Sequence, residues 1–142
     1  MTPTAQDLLN ACILTLAMPP RPEDAGVFAA ARMRLVALTN KLAAMEAADA
    51  AAVRVRENAA LRATLAEAGP SRNIPAGDMP GDGDYSLAAL DSANAALRRL
   101  LIRLHQAAEV AGDHALDRKI LKLYREMAQR RELVLPPVKP AS

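Results

Sequence analysis

Few side chains of this 142-residue sequence have the type and spacing that catalysis or metal binding requires. A metal site needs three or four ligands at recognisable spacing, and neither His105 nor His114 has a second histidine within one helical turn. No Gly-x-Ser-x-Gly or His-Glu-x-x-His motif is present. The carboxylates of Glu23 and Asp24 are typical of a helix start. We therefore expect surface or rim histidines in a protein that is not an enzyme and holds no metal or cofactor.

The single cysteine and the glycine-rich segment add no reactive motif. Cys12 has no partner for an internal disulfide, and its apolar neighbours predict a small buried side chain. Gly81-Asp82-Gly83 is acidic and lacks the Lys-Ser/Thr pair of a phosphate-binding loop. Residues 69–84 contain four of the six glycines and three of the ten prolines, which predicts a flexible linker.

The net charge of +2, with a pI of about 9.0, is divided unevenly along the chain. Residues 1–84 carry eight basic and ten acidic side chains, and residues 85–142 carry ten basic and six acidic ones. This charge density is far below the basic stripe of a nucleic-acid binder, and aromatic residues for base stacking are nearly absent. The uncharged run at residues 8–18 is too short to cross a bilayer and follows no basic stretch. We expect a cytoplasmic protein that binds neither nucleic acid nor membranes.

Capping and stop signals divide the chain into four helical segments. Thr4 and Asp7 form a capping-box pattern that opens a helix over residues 5–18. A second helical stretch covers residues 23–68, and further helices cover residues 87–111 and 114–133. A single helix of 46 residues would be about 69 Å long, so we expect a kink or break at residues 47–56. The proline-rich tail, residues 134–142, must be extended.

Apolar residues spaced alternately three and four apart define a seam on several of these helices, and such a seam packs against another helix. The third helix carries the longest one: Leu87, Leu90, Asn94, Leu97, Leu101, Leu104, Ala108 and Ala111. The second carries Phe28, Ala31, Leu35, Leu38, Leu42, Met45, Asp49 and Ala52, after which apolar positions resume on another face at Leu61, Leu65 and Ala68. The fourth carries a stripe of Leu116, Ile120, Leu123 and Met127.

Asn94 is the polar residue within the third-helix seam. A buried amide at such a position either fixes helix register and oligomeric state or pairs with neighbouring backbone at the edge of a bundle. From the sequence alone, Asn94→Leu is expected to raise the melting temperature while making the assembly state less defined.

The residues predicted to contact a partner protein are Asn94, Arg98, Arg99, Arg103, Leu133, Val134 and Leu135. The three arginines form a basic ridge beside the seam, continued by Lys119, Lys122 and Arg125 on the fourth helix. This ridge is either a solvated face or a surface for an acidic protein or a phosphate-bearing ligand. The three apolar tail residues precede prolines, so they either dock in a groove or close over the end of the bundle.

These signals predict an all-α fold: an antiparallel bundle of four helices, or five if the long second helix breaks near residues 47–56. Residues 1–142 form a single helical domain, with the linker at 69–84 and the extended tail at 134–142. Because Gly112 and Asp113 form a very short turn, the third and fourth helices are expected to be antiparallel neighbours.

The residues Pro3-Thr4-Ala5-Gln6-Asp7-Leu8-Leu9, together with Ala31-Arg32-Met33 through Met45-Glu46, resemble a family of small helical proteins. Genes of that family lie beside genes for two kinds of enzyme. One kind is a kinase similar to aminoglycoside phosphotransferases, and the other is an acyl-CoA dehydrogenase. The resemblance covers residues 3–69 at most. It implies an accessory subunit of a kinase that acts on hydroxyacyl-CoA, and it assigns no site residue.

Three functions remain open from the sequence. The leading one is a non-catalytic helical accessory subunit that binds and stabilises an enzyme partner, for which the resemblance suggests the kinase. The second is a self-associating helical structural protein, a homo-oligomer without an enzyme partner. The third is a small binding module for an anionic ligand such as an acyl-CoA, held by Arg98, Arg99 and Lys122.

Overall fold

The computed structural model describes residues 3–18, 22–81 and 83–132. It contains four α-helices: α1 at Ala5–Ala17, α2 at Ala25–Ala68, α3 at Leu87–Val110 and α4 at His114–Arg130. Short 3-10 turns lie at Pro22–Asp24, Pro70–Arg72 and Ala76–Asp78, and no strand occurs within the described ranges. The predicted all-α class and the count of four helices are therefore confirmed. Among these residues, no helix has both the length and the apolar character needed to cross a membrane.

The second helix departs from the prediction. Helical structure continues from Ala25 to Ala68, so the expected break at residues 47–56 is absent. The break was expected because a helix of this length exceeds the size of one compact domain, and a kink within residues 47–56 stays a prediction. The chain instead divides into two compact units, one containing residues up to Asp49 and the other running from Ala50 to Glu132.

The first unit contains α1 and the part of α2 up to Asp49. Its first helix begins with the predicted capping box: Asp7 N–H donates to Thr4 Oγ1 at 3.2 Å, and Thr4 N–H donates to Asp7 Oδ2 at 3.0 Å. Cys12 is buried, as predicted, with its Sγ 3.7 Å from the Val36 carbonyl oxygen. The guanidinium of Arg32 donates to the carbonyl of Leu16 at the end of α1.

The second unit has a leucine-rich core built from the end of α2, from Ile74 in the segment between α2 and α3, and from α3 and α4. The predicted inward positions of α3 from Leu90 to Ala108 are all buried, and so are Ile120, Leu123 and Met127 of the α4 stripe. The core residues are Leu61, Leu65, Ile74, Leu97, Leu100, Leu101, Leu104, Ile120, Leu123 and Met127. Burial of side chains this size contributes about 1.5–3 kcal/mol each relative to exposure.

The segment predicted as a linker contributes to this core. Ile74 is only 3% exposed, and its N–H donates to the Gly69 carbonyl at 3.0 Å. A Cβ on Gly69 would lie 2.4 Å from the Leu65 carbonyl oxygen, so only glycine permits the chain to turn back here. Part of residues 69–84 is therefore packed. The flexibility of the segment stays a prediction.

A short turn joins α3 to α4, and the two helices are in contact. Gly112 has a φ of 65°, a left-handed conformation that glycine adopts without strain. Asp113 then caps α4, accepting from Leu116 N–H at 3.1 Å, while its other oxygen accepts from Arg72 at 2.9 Å. This turn fixes where α4 begins against the core.

Candidate interaction surfaces

Large apolar side chains are exposed mainly in the first unit. The exposed set there is Leu9, Ile13, Leu14, Leu16, Met18, Val27, Met33, Leu35 and Leu38. The second unit, although longer, exposes only Tyr85, Ile102, Val110 and Leu121 among the described residues. Scattered exposed apolar residues are ordinary, but a concentration of them on one surface is typical of a binding site.

Part of the apolar seam of α2 is exposed within the first unit. Leu35 is 51% exposed and Leu38 is 42% exposed, while Val36 and Ala43 are buried instead. The periodic apolar face is present: its positions Ala31, Leu35 and Leu38 are exposed, and Phe28, Leu42 and Met45 are half-buried. We call the positions Phe28, Ala31, Leu35, Leu38, Leu42 and Met45 the α2 seam.

A second apolar stripe lies on α1. Leu9, Ile13 and Leu16 are spaced four and three apart, so they share one face of the helix, and all three are exposed. Only Cys12 is buried among the residues of α1. The first unit therefore presents two helical apolar faces of the kind that pack against another helix.

Between residues 25 and 45 the charged side chains are of one sign, and acidic side chains follow at positions 46 and 49. Residues 25–45 contain Arg32, Arg34 and Lys41 and no acidic side chain. Arg34 and Lys41 are exposed, whereas Arg32 lies over the Phe28 ring with its Cζ 5.5 Å from the centroid. The seam thus offers an apolar centre with cationic edges.

Asn94, predicted as an interface residue, lies inside the second unit. It is 4% exposed, and its Nδ2 donates to Asn58 Oδ1 at 2.9 Å and to Glu57 Oε2 at 3.2 Å. Asn58 in turn donates to the Leu90 carbonyl at 3.2 Å. The amide therefore pairs with side chains of α2, an arrangement that neither sequence-based interpretation contained.

Arg131, which caps the end of α4, completes this polar cluster. Its Nε donates to Glu57 Oε1 at 2.8 Å, and its Nη2 donates both to Glu57 Oε2 and to Asn94 Oδ1, the latter at 3.2 Å. Glu57 and Asn58 are fully buried. Because every member has a partner, the cluster of Glu57, Asn58, Asn94 and Arg131 fixes how α2, α3 and the end of α4 meet.

The basic ridge is exposed as predicted. Arg98, Arg99 and Arg103 lie on the outer side of α3, and they form no ion pair with any described residue. On α4, by contrast, Lys119 pairs with Glu67, and Lys122 lies 3.9 Å from Glu126. The ridge is thus partly neutralised, which leaves its role as a solvated face or an anion-binding surface a prediction. Leu133, Val134 and Leu135 lie outside the described residues.

Comparisons of the chain with models of protein families, with curated proteins and with solved structures found no match. Neither the accessory-subunit resemblance nor any function is tested by them. The surfaces just described are therefore the basis on which a function is inferred.

Proposed function

We propose that this protein is a non-catalytic helical accessory subunit whose first unit binds a partner protein through the α2 seam and the α1 stripe. The observation that supports this proposal is the exposure of Leu35 and Leu38 within an uninterrupted heptad pattern. An exposed seam lowers solubility unless another helix covers it. The resemblance stated above suggests an aminoglycoside-phosphotransferase-like kinase acting on hydroxyacyl-CoA as the first partner to test.

The basic side chains beside the α2 seam favour a partner whose surface is acidic. An amphipathic helix that fits the α2 seam would place acidic side chains beside Arg34 and Lys41, since like charges across an interface disfavour binding. The same cations argue against pairing of two identical seams. We also propose that the two helices joined by the short turn at Gly112 are antiparallel, as that turn predicts.

The first experiment compares partner retention by three forms of the full chain. Purified untagged kinase is applied to immobilised wild type, to the double variant Leu35→Ser/Leu38→Ser, and to Val110→Ser. The last is the matched control, because Val110 is 92% exposed in the second unit. We expect wild type and control to retain the kinase and the double variant to lose it. Retention by the double variant would refute the proposed surface.

A second experiment tests the proposed charge complementarity by reversing the charges of Arg34 and Lys41. Arg34→Glu/Lys41→Glu is expected to weaken binding of the same kinase and to remove its dependence on salt. An unchanged salt dependence would show that these cations do not face the partner.

Self-association through the seam is the alternative, because the heptad pattern alone suits a second copy as well as a different helix. Light scattering on the purified wild type separates the two functions. If wild type forms a stable homo-oligomer and the Leu35→Ser/Leu38→Ser variant is monomeric, self-association is the function and the accessory role is rejected. A monomer, or an ill-defined aggregate, agrees with a missing partner.

A further inference from the structure

Three potential metal ligands meet where α3 joins α4. His105 and Glu109 lie one turn apart on α3, and Asp117 lies in the first turn of α4. His105 Nε2 is 2.8 Å from Asp117 Oδ1 and 3.9 Å from Glu109 Oε1. One ligand atom from each of the three residues lies within 4.8 Å of the others.

These separations suit ligands that share one ion. With metal–ligand bonds of about 2.0–2.2 Å, two ligands of a tetrahedral zinc site lie roughly 3.3–3.6 Å apart. The two measured distances from His105 Nε2 fall on either side of this value. A small rotation of the exposed Glu109 side chain would shorten its distance to His105 Nε2, and an ion bound between His105 and Asp117 would replace their 2.8 Å contact and separate the two atoms by about half an ångström.

The surroundings hold the histidine and leave one side open. The His105 ring packs at a tilt on Tyr124, with ring centroids 5.9 Å apart, which restricts the rotation of the imidazole. Glu109 and Asp117 also line a pocket of about 240 Å³, together with His114. That pocket has room for water molecules beside the two carboxylates, whereas His105 does not line it.

The nearby charges favour a cation. Asp113 lines the same pocket, but one of its oxygens accepts from Leu116 N–H and the other from Arg72. It is therefore already bonded and does not compete for the ion. Glu109 and Asp117 supply two negative charges, and an imidazole ligand favours zinc, copper, nickel or iron over magnesium and calcium.

We propose that His105, Glu109 and Asp117 bind a divalent transition-metal ion of the zinc class, which ties α3 to α4 beside their connecting turn. Histidine spacing within the sequence does not reveal this site, because Asp117 reaches it only across the turn. The proposal is independent of partner binding by the first unit.

The test uses the full chain without a histidine tag. Isothermal titration with Zn²⁺ is expected to show one saturable site, and Co²⁺ is expected to give the visible absorption of a low-symmetry site. His105→Asn, Glu109→Gln and Asp117→Asn should each weaken Zn²⁺ binding by at least about tenfold, as disruption of metal-site shells typically does. Cys12→Ala is the matched control and should bind as wild type does, since its thiol lies in the other unit.

A second readout separates ion binding from misfolding. Both tyrosines, Tyr85 and Tyr124, lie in the second unit, so tyrosine fluorescence follows the unfolding of that unit alone. Zn²⁺ should raise the melting temperature of wild type and leave that of a folded Asp117→Asn variant unchanged. The proposal is overturned if Zn²⁺ and Co²⁺ show no saturable binding, or if the three variants bind Zn²⁺ as wild type does. In that case the His105–Asp117 contact is an interhelical hydrogen bond only.

Discussion

The two units of this chain bury their side chains very differently. The second unit encloses a core of large aliphatic residues and a polar cluster in which each member has a partner. In α1 and the first half of α2 the buried apolar residues are Cys12, Val36 and Ala43, whereas most leucines and methionines are exposed or only half-buried. Small side chains bury little apolar area, so the first unit gains less from its own packing. From this difference we expect the second unit to be the more stable of the two.

The largest expected effect concerns the buried ion pair of the second unit. Glu57→Ala leaves the Arg131 guanidinium without its carboxylate, and breaking a buried pair in this way costs about 3–5 kcal/mol. Urea unfolding followed by tyrosine fluorescence measures the loss, because both tyrosines lie in this unit. Glu57→Gln, which keeps the shape and an acceptor, should lose less. A cost below about 1 kcal/mol for Glu57→Ala would contradict the role given to the cluster.

The same substitution made in each unit tests the comparison directly. Leu101 is fully buried, so Leu101→Ala should cost about 2–5 kcal/mol by tyrosine-detected unfolding. Leu35 is half exposed, so Leu35→Ala should change the stability of the first unit by no more than about 0.5 kcal/mol. The rate at which the buried Cys12 thiol reacts with a thiol reagent reports on that unit, since Cys12 is the only cysteine. Equal losses of stability for the two substitutions would contradict the proposed difference in packing between the units.

Asn94→Leu should destabilise the second unit by about 1–3 kcal/mol, the cost of leaving buried polar groups unpaired. Glu57, Asn58 and Arg131 each lose a hydrogen-bond partner in this variant. The structure thus reverses the sequence-based expectation that leucine here raises the melting temperature. Thermal unfolding followed by tyrosine fluorescence decides between the two expectations. A melting temperature above that of wild type would favour the expectation drawn from the sequence.

The pattern of large apolar residues locates the buried core in the second unit but not in the first, for a physical reason. In α3 and α4 most of the large apolar residues are buried, with Ile102 and Leu121 as exceptions, so the pattern of leucines locates the core. In the part of α2 that belongs to the first unit, the buried side chains Val36 and Ala43 are smaller than the exposed Leu35 and Leu38. A heptad pattern shows which residues share a face, but it does not show whether that face meets the same chain or another one.

The polar cluster and the proposed metal ligands depend on contacts between distant parts of the sequence. Glu57 and Arg131 are 74 positions apart, so no local spacing relates them. One signal was available: Glu57 lies on the same face of α2 as Leu61 and Leu65, where a charged residue requires a buried partner. His105 and Asp117 are brought together by the turn at Gly112, which the sequence predicted without indicating which side chains would meet.

The smallest expected effect is an acid response that the two units share. Hydrogen bonds from the backbone N–H and the hydroxyl of Thr4 lower the pKa of Asp7, and the Leu116 N–H together with Arg72 lowers the pKa of Asp113. Because each folded-state pKa lies below its unfolded value, the stabilisation is complete above about pH 4 and is lost as the pH falls through the folded pKa. Carbon-13 titration of the carboxyl groups should show both midpoints below that of a free aspartate. Asp113→Asn, which keeps a capping oxygen but does not ionise, should flatten the acid limb of tyrosine-detected unfolding.

Helix capping is local and independent of how much apolar surface is covered. If Asp7 instead titrated at an ordinary pKa while Asp113 did not, the first unit would differ from the second in helix formation as well as in packing.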